Sequence, residues 1–166
     1  MASRAGAYWA ALIIFAVDQL SKWVVVGPLR LQERFQIDLL PIFSLTWVEN
    51  RGISLGLAQA QNDGHRWLLV AVTAAIAVGV AWWIRKEARA GDRFCLAMIL
   101  GGALGNIVDR TRLGYVVDFL DLHFGAFRPF YVFNVADAAI SIGVVILLLR
   151  AFFIREPASE GTNEHA

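Results

Sequence analysis

Charged side chains are scarce in this chain: Asp, Glu, Lys and Arg make up 17% of its 166 residues, whereas 58% of them are hydrophobic. An average soluble domain has about 25% charged residues and about 45 to 50% apolar ones. The mean hydropathy of +0.56 agrees with that difference. The composition therefore excludes an ordinary soluble domain and predicts an integral membrane protein.

Cysteine and histidine are also scarce, and the positive and negative charges nearly balance. The single cysteine, Cys95, cannot form an internal disulfide, and a net charge of +1 gives no basic face for nucleic acid. The three histidines fall outside the predicted helices, which argues against a zinc-binding His-Glu-x-x-His helix and a buried Ser-His dyad; they are His65, His123 and His165. We expect neither a metal nor another cofactor.

Long apolar runs are abundant instead. A membrane-spanning helix needs about 20 mostly apolar residues, and four segments approach that length, at about 8–26, 67–84, 94–110 and 132–154. The predicted fold class is an all-α integral membrane protein, a four-helix transmembrane bundle. Residues 1–155 are interpreted as a single membrane-embedded domain, and residues 156–166 as a disordered cytoplasmic tail.

The first loop between helices, about residues 28–60, has a different pattern. Phe43–Trp47 and Ile53–Leu57 alternate apolar and polar residues on either side of a turn-like Asn-Arg-Gly. The pattern predicts a small extracytoplasmic β-strand element, a strand pair, in this loop. A further extended piece is predicted at Tyr115–Leu122.

Basic residues set the predicted orientation. Four of them crowd the short connection between the second and third helices, and the positive-inside rule assigns such a loop to the cytoplasm; they are Arg85, Lys86, Arg89 and Arg93. Both termini are then cytoplasmic, and the loops at 27–66 and 111–131 face the opposite compartment.

Polar residues interrupt the apolar pattern between Gly101 and Asp137. An ionisable group at the bilayer centre costs roughly 2.5 to 3.5 kcal/mol, so intramembrane Asp, Asn and Arg are functional candidates. The topology places Asp118 and Asp137 at one depth near the extracytoplasmic face, with Asp137 about two turns into the fourth helix. Helical spacing puts Asn134 on the face of Asp137 and Asn106 on that of Arg110, so one polar pocket is expected.

Two close carboxylates suggest a reaction. In a low-dielectric site one of them keeps its proton while the other is charged, and such a pair can deprotonate water and protonate a leaving amine. This is the chemistry of an aspartic peptidase. From the residues alone, Asp121, three residues after Asp118, remains an alternative member of the pair.

Five motifs, in this order, resemble those of the bacterial lipoprotein signal peptidase family, also called signal peptidase II. The resemblance implies an aspartic endopeptidase of the bacterial inner membrane. Such an enzyme removes the signal peptide from prolipoproteins on the N-terminal side of the diacylglyceryl-modified cysteine. The motifs are Asp18-Gln19-x-Ser21-Lys22, Glu49-Asn50-x-Gly52, Gly101-Gly102-Ala103-x-Gly105-Asn106-x-x-Asp109-Arg110, Val117-Asp118-Phe119 and Phe133-Asn134-x-Ala136-Asp137.

The resemblance also implies roles for single residues. Asp118 and Asp137 would be the catalytic pair, and the substrate site would be lined by Asn50, Asn106, Arg110 and Asn134. The implied partners are diacylglyceryl-modified prolipoproteins and membrane lipids, and we expect a monomer. One departure is Ile53-Ser54-Leu55-Gly56, where the family often has Ala-Ala-Phe-Ser, and it concerns loop contacts.

Four further residues have structural interpretations beside functional ones. Asp18 and Lys22 are four apart on the first helix, so an intrahelical ion pair is expected, with substrate contact as the alternative. Gly102 belongs to a group of glycines that permits close helix approach, with a backbone contact to substrate as the alternative. Asp109 is expected to cap a helix or to pair with a neighbouring arginine.

Functions from other classes stay open. A proton-coupled transporter subunit would relay protons through Asp18, Asp118 and Asp137, but a relay needs acids at several depths. We expect no acid in the cytoplasmic halves of the second, third and fourth helices. A structural subunit of a membrane complex would have no water-accessible acid pair, and a presenilin-type protease would have a Gly-x-Gly-Asp motif, which the sequence lacks.

Overall fold

The computed structural model describes residues 3–52 and 63–153. Helices dominate these residues, and a small sheet lies at one end of them. In chain order the elements are α1 (Arg4–Val26), α2 (Leu31–Arg34), β1 (Gln36–Leu40), β2 (Phe43–Asn50), α3 (Asp63–Lys86), α4 (Ala90–Leu113), β3 (Val116–Leu122) and α5 (Val135–Phe153).

Four of the helices, α1, α3, α4 and α5, are long and apolar enough to span a membrane, with 19 to 24 residues each. The predicted fold class is confirmed. Helices α1, α3 and α4 extend beyond their predicted apolar stretches, whereas α5 begins three residues later than predicted. For example, α1 begins four residues earlier than expected because the Ser3 side chain accepts a hydrogen bond from the Gly6 amide at 3.0 Å, which caps the helix.

Helix α4 is the centre of the bundle, because α1, α3 and α5 all pack against it. Half of its most apolar stretch is buried inside the protein, compared with 11 to 22% for the other three long helices. Those three expose large apolar side chains along their outer faces. A lipid environment satisfies such faces, so the bundle has the surface expected of a membrane protein.

Glycines allow the other helices to approach α4 closely. A Cβ atom on Gly101 would lie 2.5 Å from the Ala11 carbonyl oxygen, and one on Gly102 would lie 2.5 Å from the Ala136 carbonyl oxygen. Both distances are far too short for a real contact. The packing therefore favours the close-approach interpretation of Gly102 over a contact with substrate.

The sheet has three antiparallel strands in the order β1-β2-β3. Strand β2 contains the predicted Phe43–Trp47, and β3 matches the extended piece predicted at Tyr115–Leu122. The expected partner Ile53–Leu57 lies outside the described residues. Both neighbours of β2 are other strands, namely β1, which the sequence analysis missed, and β3, which comes from the second outer loop.

An apolar core explains why strands from two loops join. Leu45, Val117 and Phe119 are buried in one cluster together with Val25 and Leu31, which lie at and just beyond the end of α1. The apolar face of the sheet therefore packs against the end of the bundle. This packing fixes β3, and with it Asp118, relative to the helices.

Two expectations about helix ends are wrong. His65 lies in the first turn of α3, not outside the helices, because that helix begins at Asp63. Asp92 lies in the first turn of α4, at the end of the bundle opposite the sheet, where no acid was expected. This carboxylate is buried and paired with Arg89 and Arg150, so it has the contacts of a structural ion pair.

Two assignments concern the chain as a whole. The tail predicted at 156–166 lies outside the described residues. The single-domain interpretation of residues 1–155 stays a prediction, although the sheet and the four long helices share contacts through α4 and α1.

The glycine packing gives a stability prediction. We expect Gly102→Ala to destabilise the purified protein in detergent by about 1 to 3 kcal/mol, since the added methyl group must displace the backbone of α5. Gly79→Ala is the matched control, because a Cβ at this exposed glycine of α3 would meet nothing within 4 Å. Thermal unfolding measures both variants, and equal melting temperatures would contradict the close-packing argument.

Candidate active site

The polar residues predicted to form a pocket come together where the sheet meets the helix ends. Asp118 lies in the middle of β3, and Asn50 ends the neighbouring strand β2. Asn106 and Arg110 lie in the last two turns of α4, and Asp137 lies in the first turn of α5. Four elements thus contribute side chains to one small region at one end of the bundle.

Asn134 and Asp137 form the start of α5. The Asn134 Oδ1 accepts a hydrogen bond from the Asp137 amide at 2.9 Å, and the Asp137 Oδ2 accepts one from the Asn134 amide at 3.3 Å. This is a reciprocal capping arrangement. The expectation that Asp137 lies two turns inside the helix is therefore wrong, since α5 begins at Val135 and not at 132.

Side-chain amides hold both carboxylates. Asp118 accepts hydrogen bonds from Asn134 Nδ2 at 2.6 Å and from Asn50 Nδ2 at 2.9 Å. Asp137 accepts one from Asn106 Nδ2 at 2.8 Å. Because Asn134 contacts Asp118 with its side chain and Asp137 with its backbone amide, it bridges the two acids. Hydrogen bonds thus bring Asn50, Asn106 and Asn134 into contact with the two acids.

Asp118 is only 2% exposed. Burial, as the largest cause, and the negative charge of Asp137 together raise the pKa of this carboxyl from its ordinary value of 3.8 to about 6. The hydrogen bonds from Asn50 and Asn134 and the positive charge of Lys22 oppose the increase without cancelling it. Asp118 therefore exchanges its proton close to neutral pH, as a catalytic acid requires.

Arg110 has a donor without a partner. Its guanidinium lies within electrostatic reach of Asp137, Asp118 and Asp109. Among residues 3–52 and 63–153, its buried Nε has no hydrogen-bond partner. A buried donor left unsatisfied costs about 1 to 3 kcal/mol, so this atom is suited to bind a ligand.

Arg66 is a residue that the sequence analysis missed. Its Nε donates to the Arg110 carbonyl oxygen at 2.7 Å, and its Nη2 donates to the Thr111 carbonyl oxygen. A side chain of α3 thus donates to two carbonyls in the last turn of α4, and the Arg110 carbonyl also accepts a hydrogen bond from the Gly114 amide. No local pattern indicated this contact, because it joins residues that are 44 positions apart.

The supporting residues lie next to the pocket, not between the two acids. Lys22 Nζ is 2.8 Å from Asp18 Oδ2, so the predicted intrahelical ion pair forms. The same ammonium is 2.8 Å from Asp109 Oδ2. Asp109 was expected to cap a helix or to pair with a neighbouring arginine, and its partner is this lysine from α1 instead.

Asp121 is buried but has other contacts. Its carboxylate accepts hydrogen bonds from Thr46 Oγ1 at 3.0 Å and from Arg128 Nε at 3.2 Å. These partners are not the amides that hold Asp118 and Asp137. The structure therefore favours Asp118 over Asp121 as the partner of Asp137.

Fold and site together define a class of protein. Four long apolar helices form a multi-pass membrane protein. The two neighbouring carboxylates at one end of it are a pair of the kind that an aspartic peptidase uses.

Comparison with known proteins gives the family. The family described as signal peptidase (SPase) II matches residues 10–153. A lipoprotein signal peptidase of Rhizorhabdus wittichii is 54% identical over 96% of this chain and 92% of its own length. One of Sphingopyxis alaskensis is 54% identical over 95% of the chain and 90% of its own length. This chain belongs to the signal peptidase II family, and it is a peptidase.

Two solved structures have the same fold. Both are described as a bacterial membrane enzyme obtained by the in meso method, at 2.3 Å and 1.9 Å resolution. They superpose with TM-scores of 0.74 and 0.76 at 23% and 24% sequence identity. Each covers 92% of this chain, and the chain covers 92% and 95% of theirs. This similarity confirms the arrangement of helices and sheet.

The raised pKa of Asp118 predicts a pH-dependent stability. With a pKa of about 6 in the folded protein against 3.8 ordinarily, the folded state binds this proton more tightly than the unfolded chain does. The contribution of this proton to the free energy of unfolding is fully present below about pH 4 and is lost as the pH rises through about 6.

Asp118→Asn removes that titration. We expect the stability of the variant relative to the parent protein to increase between pH 4 and pH 7.5, by at most about 3 kcal/mol. Melting temperatures in detergent across this pH range measure the change. An offset between variant and parent that is the same at every pH would contradict the raised pKa.

Proposed function

We propose that this protein is an aspartic endopeptidase of the bacterial inner membrane. It removes signal peptides from prolipoproteins on the N-terminal side of the diacylglyceryl-modified cysteine. The observation that carries the proposal is the acid pair, Asp118 and Asp137, bridged by Asn134 at one end of the bundle. Family membership and relatives named lipoprotein signal peptidase support the substrate class.

The two acids have different surroundings, which supports different first roles. Asp118 is the buried acid with the pKa of about 6, so it donates its proton to the oxygen of the scissile carbonyl. The Asp137 carboxylate removes a proton from the attacking water, whose oxygen bonds to the carbonyl carbon. When the resulting intermediate collapses, Asp137 protonates the leaving amine and Asp118 recovers its proton from the intermediate.

The amides and the guanidinium serve the substrate in this proposal. Asn50, Asn106 and Asn134 orient the two carboxylates through hydrogen bonds of 2.6 to 2.9 Å. Arg110 presents its unpartnered Nε to a carbonyl oxygen of the bound substrate. Three further residues support the site without lying between the two acids. Asp18 and Lys22 form an ion pair beside it, and Gly102 allows α5 to pack closely against α4.

A proton-coupled transporter is a weaker candidate. Asp18, Asp109, Asp118 and Asp137 all cluster at one end of the bundle, and Asp92 at the other end is neutralised by arginines. Within the described residues, no titratable chain connects the two ends. A relay across the membrane needs such a chain, whereas a peptidase needs the cluster.

Orientation, oligomeric state and lipid contacts belong to the same proposal. The basic residues around the connection between α3 and α4 support a cytoplasmic location for that loop and for both termini. The sheet and the site then face the extracytoplasmic side. A monomeric enzyme, as the sequence analysis expects, is part of the proposal. The exposed apolar faces of the long helices are suited to membrane lipids.

Substitution of the two acids tests the proposed chemistry. Asp118→Asn and Asp137→Asn should each reduce cleavage of a diacylglyceryl-modified substrate by about 1,000-fold or more, because neither amide can relay a proton. The double variant should be no less active than either single one, since the two groups act as a unit. A gel-shift assay of substrate processing by the purified variants measures this.

Asp121→Asn is the matched control for these variants. It removes a buried carboxylate from the same strand, three residues from Asp118, and it should keep activity within about tenfold of the parent. A fully active Asp118→Asn combined with an inactive Asp121→Asn would transfer the catalytic role to Asp121.

Arg110→Lys tests the proposed substrate contact. Lysine keeps the positive charge and can extend to the interface, but it lacks the planar fork of donors. We expect KM to rise about tenfold while the melting temperature changes little. Unchanged KM and kcat would show that Arg110 only anchors the end of α4.

The orientation can be tested by cysteine labelling. Glu33→Cys, at a residue whose side chain is 70% exposed beside the sheet, should react with a membrane-impermeant maleimide added to spheroplasts. Lys86→Cys, at the end of α3, should react only after lysis. Labelling of both before lysis would contradict the proposed topology.

A further inference from the structure

Three charged side chains are buried together next to the acid pair. Asp18, Lys22 and Asp109 are each at most 4% exposed. The Lys22 ammonium lies between the two carboxylates, 2.8 Å from an oxygen of each. Buried ion clusters are often no more stable than well-packed apolar side chains of the same volume, so stability alone does not account for this one.

Each carboxylate of this cluster also binds a backbone amide. Asp18 Oδ1 accepts a hydrogen bond from the Ala136 amide at 3.0 Å, and Asp109 Oδ2 accepts one from the Val117 amide at 3.2 Å. Ala136 directly precedes Asp137, and Val117 directly precedes Asp118. Each carboxylate therefore holds the residue that directly precedes one member of the proposed catalytic pair.

Lys22 connects the two carboxylates that make these backbone hydrogen bonds. The two catalytic candidates lie on different elements, β3 and α5, so their separation depends on how those elements are held relative to each other. We propose that Lys22 is a positioning residue that sets the separation of Asp118 and Asp137 through Asp18 and Asp109. This inference rests on the proposed function of the pair.

A second contact of Lys22 supports the same role. Its Nζ donates to Asn106 Oδ1 at 3.3 Å, and Asn106 Nδ2 donates to Asp137 Oδ1 at 2.8 Å. The ammonium thereby fixes which end of the Asn106 amide faces each neighbour, because a cation attracts the carbonyl oxygen and leaves the NH₂ group for Asp137. Lys22 thus acts on Asp137 by a side-chain route as well as a backbone route.

Neighbouring residues restrict movement of the cluster. Gln19 Nε2 donates to Asp18 Oδ2 and to Asp109 Oδ1, at 3.1 Å each. A Cβ atom at Gly105 would also overlap Asp18 Oδ2. The Asp18 carboxylate therefore has little freedom to shift, and a displacement of about 1 Å at reacting groups is enough to reduce a rate about 100-fold.

The way each carboxylate uses its two oxygens predicts that Asp18→Asn is more damaging than Asp109→Asn. Asp18 uses Oδ1 for Ala136 and Oδ2 for Lys22, so the single oxygen of Asn in Asp18→Asn can satisfy only one of these contacts. Asp109 uses Oδ2 for both Val117 and Lys22, so the oxygen in Asp109→Asn can keep both. Either change leaves Lys22 with one carboxylate, a balanced pair that should allow folding.

The test compares these variants in the full-length purified enzyme, with a diacylglyceryl-modified peptide as substrate. We expect Asp18→Asn to lower kcat about 100-fold with KM within threefold, and Asp109→Asn to lower kcat about tenfold. Lys22→Met should lower kcat at least as much as Asp18→Asn, but it leaves two buried carboxylates facing each other, so the asparagine variants decide the outcome.

Asp92→Asn is the matched control. Asp92 is buried to the same extent as Asp109, and its ion pair with Arg150 likewise joins two helices, here α4 and α5. This pair lies at the end of the bundle away from the acid pair. We expect Asp92→Asn to lower the melting temperature about as much as Asp18→Asn does, and to leave kcat unchanged. Equal loss of kcat in both variants, or a normal kcat in Asp18→Asn, would overturn the proposal.

Crystal structures of the parent protein and of Asp18→Asn test the positioning role independently of the proposed peptidase function. The distance between the carboxyl groups of Asp118 and Asp137 should change by about 1 Å in the variant, and an unchanged distance would overturn the positioning role whatever the activity. A parent protein that fails to cleave the lipidated peptide would instead count against the proposed function.

Discussion

The site depends first on the hydrogen bonds of Asn134. This residue caps α5 by accepting from the Asp137 amide, and its side-chain NH₂ group donates to Asp118 at 2.6 Å. One side chain thus sets where the helix begins and how that helix meets the sheet. Because Asn134 is fully buried, water does not compete for these bonds, and each is stronger than it would be at a surface.

Close packing around α4 makes this arrangement possible. Gly101 and Gly102 bring the backbones of α1 and α5 against α4, at distances that a methyl group would prevent. Lys22 on α1 can then reach Asp109 on α4. Without that approach, the polar residues of three helices would each face lipid alone, at a cost of several kcal/mol for every unsatisfied group.

The sequence was informative wherever a signal is local. Apolar length predicts the four spans, and an i, i+4 spacing predicts the pair of Asp18 and Lys22, because one helix determines both. The contact of Lys22 with Asp109 and the pairing of β2 with β3 depend on tertiary packing, and no spacing encodes them. The start of α5 was misplaced because Phe133 continues the apolar pattern, whereas the cap at Asn134 decides where the helix begins.

The first turn of α5 explains why so many polar groups gather at this end of the bundle. The first amides of a helix have no intrahelical acceptor, and in an apolar environment they must find one. Asp18 accepts from the Ala136 amide and Asn134 from the Asp137 amide. The acceptors that satisfy the helix end therefore lie beside Asp137, and their own partners, Lys22 and Asp118, complete the cluster. Satisfying a buried helix terminus and assembling an acid pair thus use the same residues.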